Sequence, residues 1–208
     1  MLTFAAFLLA APAPAAAPQR EVLDAFKDVC WAVPDAQRIA DSAAKQGWSP
    51  VSRGKNLPAD RLRDVIEGES KEGRRVRVHQ FSRAVGGRQL LLTVFRGELT
   101  AAAANGFGST NCQVRELDGA RPLSMALVEE WLGGPPDEVD EDAAGSIRTW
   151  YSHRRREPTI VTIAYIPSGS PLAGEEMMPG IYLNAEAYGD RFDALPPGAQ
   201  RQEGGPRE

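Results

Sequence analysis

Between residues 21 and 33 the apolar side chains Val22, Phe26, Val29, Cys30 and Val33 recur at intervals of three and four. That spacing lines one stripe of a helix and puts Cys30 on its buried side. Pro34 suits the first turn of a second helix, whose inner face is Ala36, Ile39, Ala40 and Ala43. Gly47 ends it, and the expected cap has Gly47 left-handed with Trp48 folded back onto Ala43. Leu62, Val65 and Ile66 predict a short helix within residues 56–68, with Pro58 and Asp60 suiting its start. The period then changes to two. Residues 74–85 and 88–96 read as strands joined by a turn at Gly86-Gly87, and the run Leu90 to Phe95 predicts a strand buried on both faces.

Ala101 to Ala104 reads as one helical turn stopped by Asn105-Gly106, and residues 107–117 as a strand carrying Cys112. Residues 122–132 form a helix with a wide apolar face, ended by Gly133-Gly134-Pro135-Pro136. Residues 137–142 read as an acidic loop, 147–153 and 159–166 as a strand pair, and 181–188 as a last strand. The predicted fold class is α+β. A mostly antiparallel sheet of five or six strands is covered on one face by the N-terminal helical hairpin and the helix at 122–132.

Composition adds limits. A chain of 208 residues is one domain with tails. Leu, Ile, Val and Phe make up about a fifth of it, near the compositional edge of disorder at roughly 20 %. The net charge of −4 is too small to keep the whole chain unfolded. With 20 Gly and 16 Pro, long loops are expected. The acidic balance argues against nucleic acid as a partner, whose binders are usually basic.

The first 19 residues carry no charged side chain. Phe4 to Ala11 is a short apolar run and Pro12 to Pro18 is rich in Ala and Pro. This reads as a signal peptide over residues 1–17, with Ala13-Pro14-Ala15 as the peptidase site and cleavage before Ala16 or nearby. No Lys or Arg stands in Met1-Leu2-Thr3, and an Ala/Pro-rich cytoplasmic tail is the alternative. The run is too short for a membrane span, and no later segment is a candidate for one. The expected layout is a signal peptide, a domain over 18–188 and a disordered tail over 189–208; the expected location is periplasmic or secreted. In such a compartment Cys30 and Cys112 read as one disulfide, the alternative being two buried thiols.

The motifs for chemistry are sparse. Gly106-Phe107-Gly108-Ser109-Thr110 has the wrong spacing for a nucleophile elbow, and no G-K-[ST] follows to make a phosphate loop. His79 and His153 each stand alone in a predicted strand, without a partner at metal-ligand spacing. Asp140 to Gly145 places acids at the first and third positions of a calcium loop but fails at Ala144 and Tyr151. No catalytic residue, metal or cofactor is assigned.

Charge is segregated instead. Residues 71–96 hold Lys71, Arg74, Arg75, Arg77, Arg83, Arg88 and Arg96 against Glu72 alone. Residues 129–142 hold acids and no base; Arg148, Arg154, Arg155 and Arg156 follow without an acid. Arg75 and Arg77, aided by Arg154 to Arg156, are the candidate anion-binding residues, since a guanidinium grips carboxylate or phosphate with parallel hydrogen bonds. A solvated sheet face guarding an edge strand is the plainer reading.

Phe26-Lys27-Asp28-Val29-Cys30 followed by Gly47-Trp48, and Cys112-Gln113-Val114 leading to Trp131-Leu132-Gly133, resemble segments of small uncharacterised exported proteins of Gram-negative bacteria. The resemblance spans roughly residues 22–48 and 107–134. It implies export and one disulfide, and it transfers no activity. The expected function is that of an exported non-enzymatic binding or envelope-accessory protein. Its partner would be an anionic envelope component or an acidic protein surface. The alternative is a small periplasmic hydrolase using a lone His or a carboxylate pair.

Overall fold

The computed structural model describes residues 16–33, 35–68, 74–99, 108–116, 121–152, 158–173 and 178–188. Among them are helices α1 (Ala16–Cys30), α2 (Ala36–Lys45), α3 (Leu57–Gly68) and α4 (Met125–Leu132). The strands are β1 (Ser49–Pro50), β2 (Arg74–Val85), β3 (Arg88–Leu99), β4 (Gly108–Glu116), β5 (Glu138–Asp142), β6 (Gly145–Tyr151), β7 (Ile160–Ile166) and β8 (Gly180–Tyr188). They form one antiparallel sheet in the order β1-β2-β3-β4-β8-β7-β6-β5.

The α+β class stands, but the sheet has eight strands rather than five or six. The two extra strands are its edges. β1 is two residues long, too short to show a period. β5 is Glu-Val-Asp-Glu-Asp, exposed throughout, where an acidic loop was expected. It buries no face, so it carries no apolar alternation to reveal it. Its charge suits a sheet edge that must not pair with another chain. The expected turn at 101–104, the signal peptide as far as Ala15 and the tail from residue 189 lie outside the described residues.

One face of the sheet carries the main core. Val22, Leu23, Phe26, Val29 and Cys30 of α1 and Ile39 and Ala43 of α2 meet Leu92, Val94, Cys112, Val114, Ile163, Leu183 and Ala185 of the sheet. The hairpin α1–α2 is closed by polar contacts at its base. Ser42 Oγ and Gln46 Nε2 both donate to the Asp28 carbonyl, which lies in the last turn of α1. Gly47 has φ 78°; its N–H donates to Ala44 and the Trp48 N–H to Ala43, the cap expected from Gly47-Trp48. α1 starts five residues before the predicted stripe, and its N-terminal turn lies over the Gly86-Gly87 hairpin. A Cβ on Gly86 would meet the Glu21 carboxylate at 2.8 Å.

α4 packs beside α1 through Phe26, Trp31 and Trp131, with Trp31 and Trp131 edge to face at 5.4 Å. Trp131 Nε1 donates to Asp24, and Lys27 Nζ lies over both indoles. The opposite face of the sheet holds a second, smaller core. Ala59, Leu62 and Ile66 of α3 cover Leu91, joined by Val76, Val78, Phe95 and Met178. This explains why Leu90 to Val94 are all buried, as the sequence predicts: β3 is covered on both faces.

Candidate functional site

Cys30 and Cys112 form a disulfide at a Cα–Cα distance of 5.3 Å. Both are fully buried, and the bridge ties the last residue of α1 to the middle of β4. Of the candidate anion-binding residues, Arg75 and Arg77 stand in β2, paired in register with Glu98 and Arg96. Arg77 is exposed, and His79, also exposed, lies two positions along on the same face. β1 pairs only with Phe81 and Ser82. Among the described residues, β2 from Arg74 to His79 therefore has β3 on one side and no strand on the other. Arg154, Arg155, Arg156 and His153 lie outside the described residues. The two charge blocks end at opposite sides of the sheet, basic in β2 and acidic in β5.

The calcium-like string is a hairpin turn. Asp142 accepts from the Ala144 and Gly145 N–H groups, and Glu141 pairs with Arg148 across β5 and β6. Arg148 is thereby neutralised by its own hairpin.

A second polar region escaped sequence reasoning. On the α3 face of the sheet, Gln80, Thr93, Gln113 and Asn184 stand side by side on four neighbouring strands, and all are buried. Beside this row, Arg115 of β4 is only 8 % exposed. Its guanidinium carbon lies 4.5 Å from the centre of the Tyr182 ring, the residue directly opposite on β8. Nη2 makes one long contact, 3.4 Å, to Gln113 Oε1. Nε has no hydrogen-bond partner, and neither have the buried oxygens Gln80 Oε1 and Asn184 Oδ1. No carboxylate among the described residues pairs with Arg115.

The electrostatics follow from that isolation. Burial lowers the pKa of Arg115, with Tyr182 acting in the other direction. Burial pushes the Tyr182 hydroxyl up to about 12; Arg115 opposes the shift and Glu186 adds to it. A buried cation without an anion is a costly arrangement, and unsatisfied groups of this kind cluster at sites that bind something.

Beside α3 runs a cleft of about 680 Å³, lined by Pro58, Arg61, Asp64 and Val65 of α3 and by Ala173, Met178 and Pro179; neither Arg115 nor Tyr182 is among these residues. That volume falls in the range of small-molecule sites, roughly 300–1,000 Å³. The readable signal for the polar row was the alternation Asn111, Gln113, Arg115 against Cys112 and Val114, echoed by Tyr182, Asn184 and Glu186 against Leu183 and Ala185. It looks like a strand with one solvated face, and only the third dimension shows that face to be buried.

Comparison with known families, curated proteins and solved structures returns no match to this chain.

Proposed function

We propose that this is an exported, non-enzymatic binding protein of the periplasm or the secreted medium, and that it meets an anionic partner through the basic open end of β2. One observation carries the reading: Arg77 is exposed on the stretch of β2 that has no outer strand among the described residues. The exposed guanidinium of Arg77 suits the gripping of a negative surface, since it can offer two parallel hydrogen bonds. Arg75 precedes Arg77 by two positions in β2; Arg154 to Arg156 lie outside the described residues. His79, two positions along β2 from Arg77, is exposed as well.

Export is supported by the signal-like first 17 residues, by the resemblance to small exported proteins and by the disulfide, which persists in oxidising compartments. Cleavage before Ala16 leaves every described residue in the mature chain.

The test is capture of partners from an envelope extract by the mature protein, with mass spectrometry of what is retained. Arg75→Gln with Arg77→Gln should reduce capture of the retained partner and leave the melting temperature nearly unchanged, because surface ion pairs contribute about 0–1 kcal/mol. Wild-type capture should also weaken as salt shortens the Debye length from about 10 Å at 0.1 M to about 3 Å at 1 M. Equal capture by the double variant, or indifference to salt, would show the basic edge to be solvent surface only.

A further inference from the structure

The ladder between β2 and β3 runs from Arg74 to Val85 without a bulge. On its other side β2 meets β1, where the Val51 N–H donates to the Gln80 carbonyl at 2.9 Å. The backbone of Gln80 therefore points away from β3. In an antiparallel ladder the N–H and C=O of one residue point to the same side, and the side alternates with each residue. Val78 and Val76 thus also turn their N–H and C=O groups outward, past the end of β1, where no strand among the described residues pairs with them. Arg77 and His79 turn theirs inward to β3. The side chains alternate as well. Val76 and Val78 are half-buried against the α3 core, whereas Arg77 and His79 are exposed on the other face.

We propose that this edge accepts an extended acidic segment of another protein as an added antiparallel strand, with acids at the positions opposite Arg75 and Arg77 and apolar residues opposite Val76 and Val78. The proposal rests on the anionic-partner reading of β2 and names the form that partner takes. The outward N–H groups call for acceptors and the outward carbonyls for donors. A phosphate or a lone carboxylate supplies acceptors only, whereas a peptide backbone supplies both at the spacing of the strand. Opposite charges directly across a strand pair stabilise it and like charges oppose it. A second copy is a poor occupant for that reason: β2 laid against β2 brings the arginines of the two copies together. The acidic β5 of a second copy has one apolar residue, Val139, for the two apolar positions, and its Glu141 is already paired with Arg148.

The probe is the peptide acetyl-Glu-Val-Glu-Val-Glu-Val-amide. Laid antiparallel along 79–74, it sets Glu opposite His79, Arg77 and Arg75, and Val opposite Val78, Val76 and Arg74. The measurements are titration of the oxidised full chain and its amide hydrogen exchange. Saturating peptide should slow exchange of the Val76 and Val78 amides, with little change at Arg77 and His79, whose amides already face β3. N-methylation of the Val amides of the peptide, which face β2, should weaken binding about tenfold or more; N-methylation of its Glu amides, which face away, should be tolerated. Gln in place of Glu should weaken it about tenfold, the usual worth of a charge-assisted hydrogen bond, and Arg75→Gln with Arg77→Gln should bring the Glu peptide down to that level. Equal binding of the two N-methylated peptides, no binding of the parent peptide, or unchanged exchange at Val76 and Val78 would overturn strand addition. So would self-association of the protein alone that protects those two amides. Each of these results leaves the anionic-partner reading standing if capture from envelope extract still depends on Arg75 and Arg77; that reading fails separately, when capture ignores them.

Discussion

Replacing both Cys30 and Cys112 by Ala removes a bridge that closes a loop of 82 residues. Chain-entropy reasoning assigns such a loop about 4.5 kcal/mol at 25 °C, through constraint of the unfolded chain. The substitution also deletes two fully buried sulfurs from the core between α1 and β4. Each leaves a methyl-sized void, worth about 0.5–1.5 kcal/mol by analogy with a deleted core methyl group. The expected loss is therefore about 5.5–7.5 kcal/mol, against a typical total of about 5–15 kcal/mol. The two parts can be separated. Reduction of the wild-type bridge leaves the sulfurs in place and should cost only the entropic part, lowering the melting temperature by about 9–18 °C for a chain of this size. Urea unfolding of oxidised, reduced and double-alanine protein is the assay. The slope against urea should steepen in the latter two, because the unfolded chain expands once it is not cross-linked. A reduced protein that loses less than about 1 kcal/mol, with an unchanged slope, would refute the claim that this bridge constrains the unfolded state.

Arg115→Met should leave the protein as stable as before or more stable, by up to about 1–4 kcal/mol, because it removes a buried charge that no carboxylate balances; chemical denaturation checks it. Gly47→Ala should cost about 1 kcal/mol, all of it backbone strain, since φ is 78° and nothing lies within 4 Å of the added Cβ. Tyr182 has its hydroxyl raised to about 12 from an ordinary value of 10.0. The folded state holds that proton more tightly than the unfolded state, so the contribution is complete below pH 10 and is lost as pH climbs towards 12. Urea midpoints of the wild type should fall across that window more than those of Tyr182→Phe.

The helices and inner strands were legible because burial wrote a period into them. Val22, Phe26, Val29 and Cys30 repeat at helical spacing since they face one sheet, and Leu90 to Phe95 run apolar but for Thr93 since β3 is covered twice. β1 and β5 were not legible, because neither buries a face. The basic end of β2 could be located from Arg75 and Arg77 alone, but its lack of an outer strand depends on β1 stopping at Ser49–Pro50. The Arg115 region was hidden for a different reason. Alternation tells which residues share a face, not what covers that face. Asn111, Gln113 and Arg115 alternate with Cys112 and Val114 as a solvated face would, yet all three are buried.

The functional reading depends first on export with the bridge formed. The most direct measurement is the intact mass of the protein isolated from its native host, after alkylation under denaturing conditions without reductant. The account predicts a chain that begins at or near Ala16 and takes up no alkyl group, with Cys30 joined to Cys112. A mass that includes the residues from Met1 onward and two alkyl groups would contradict it.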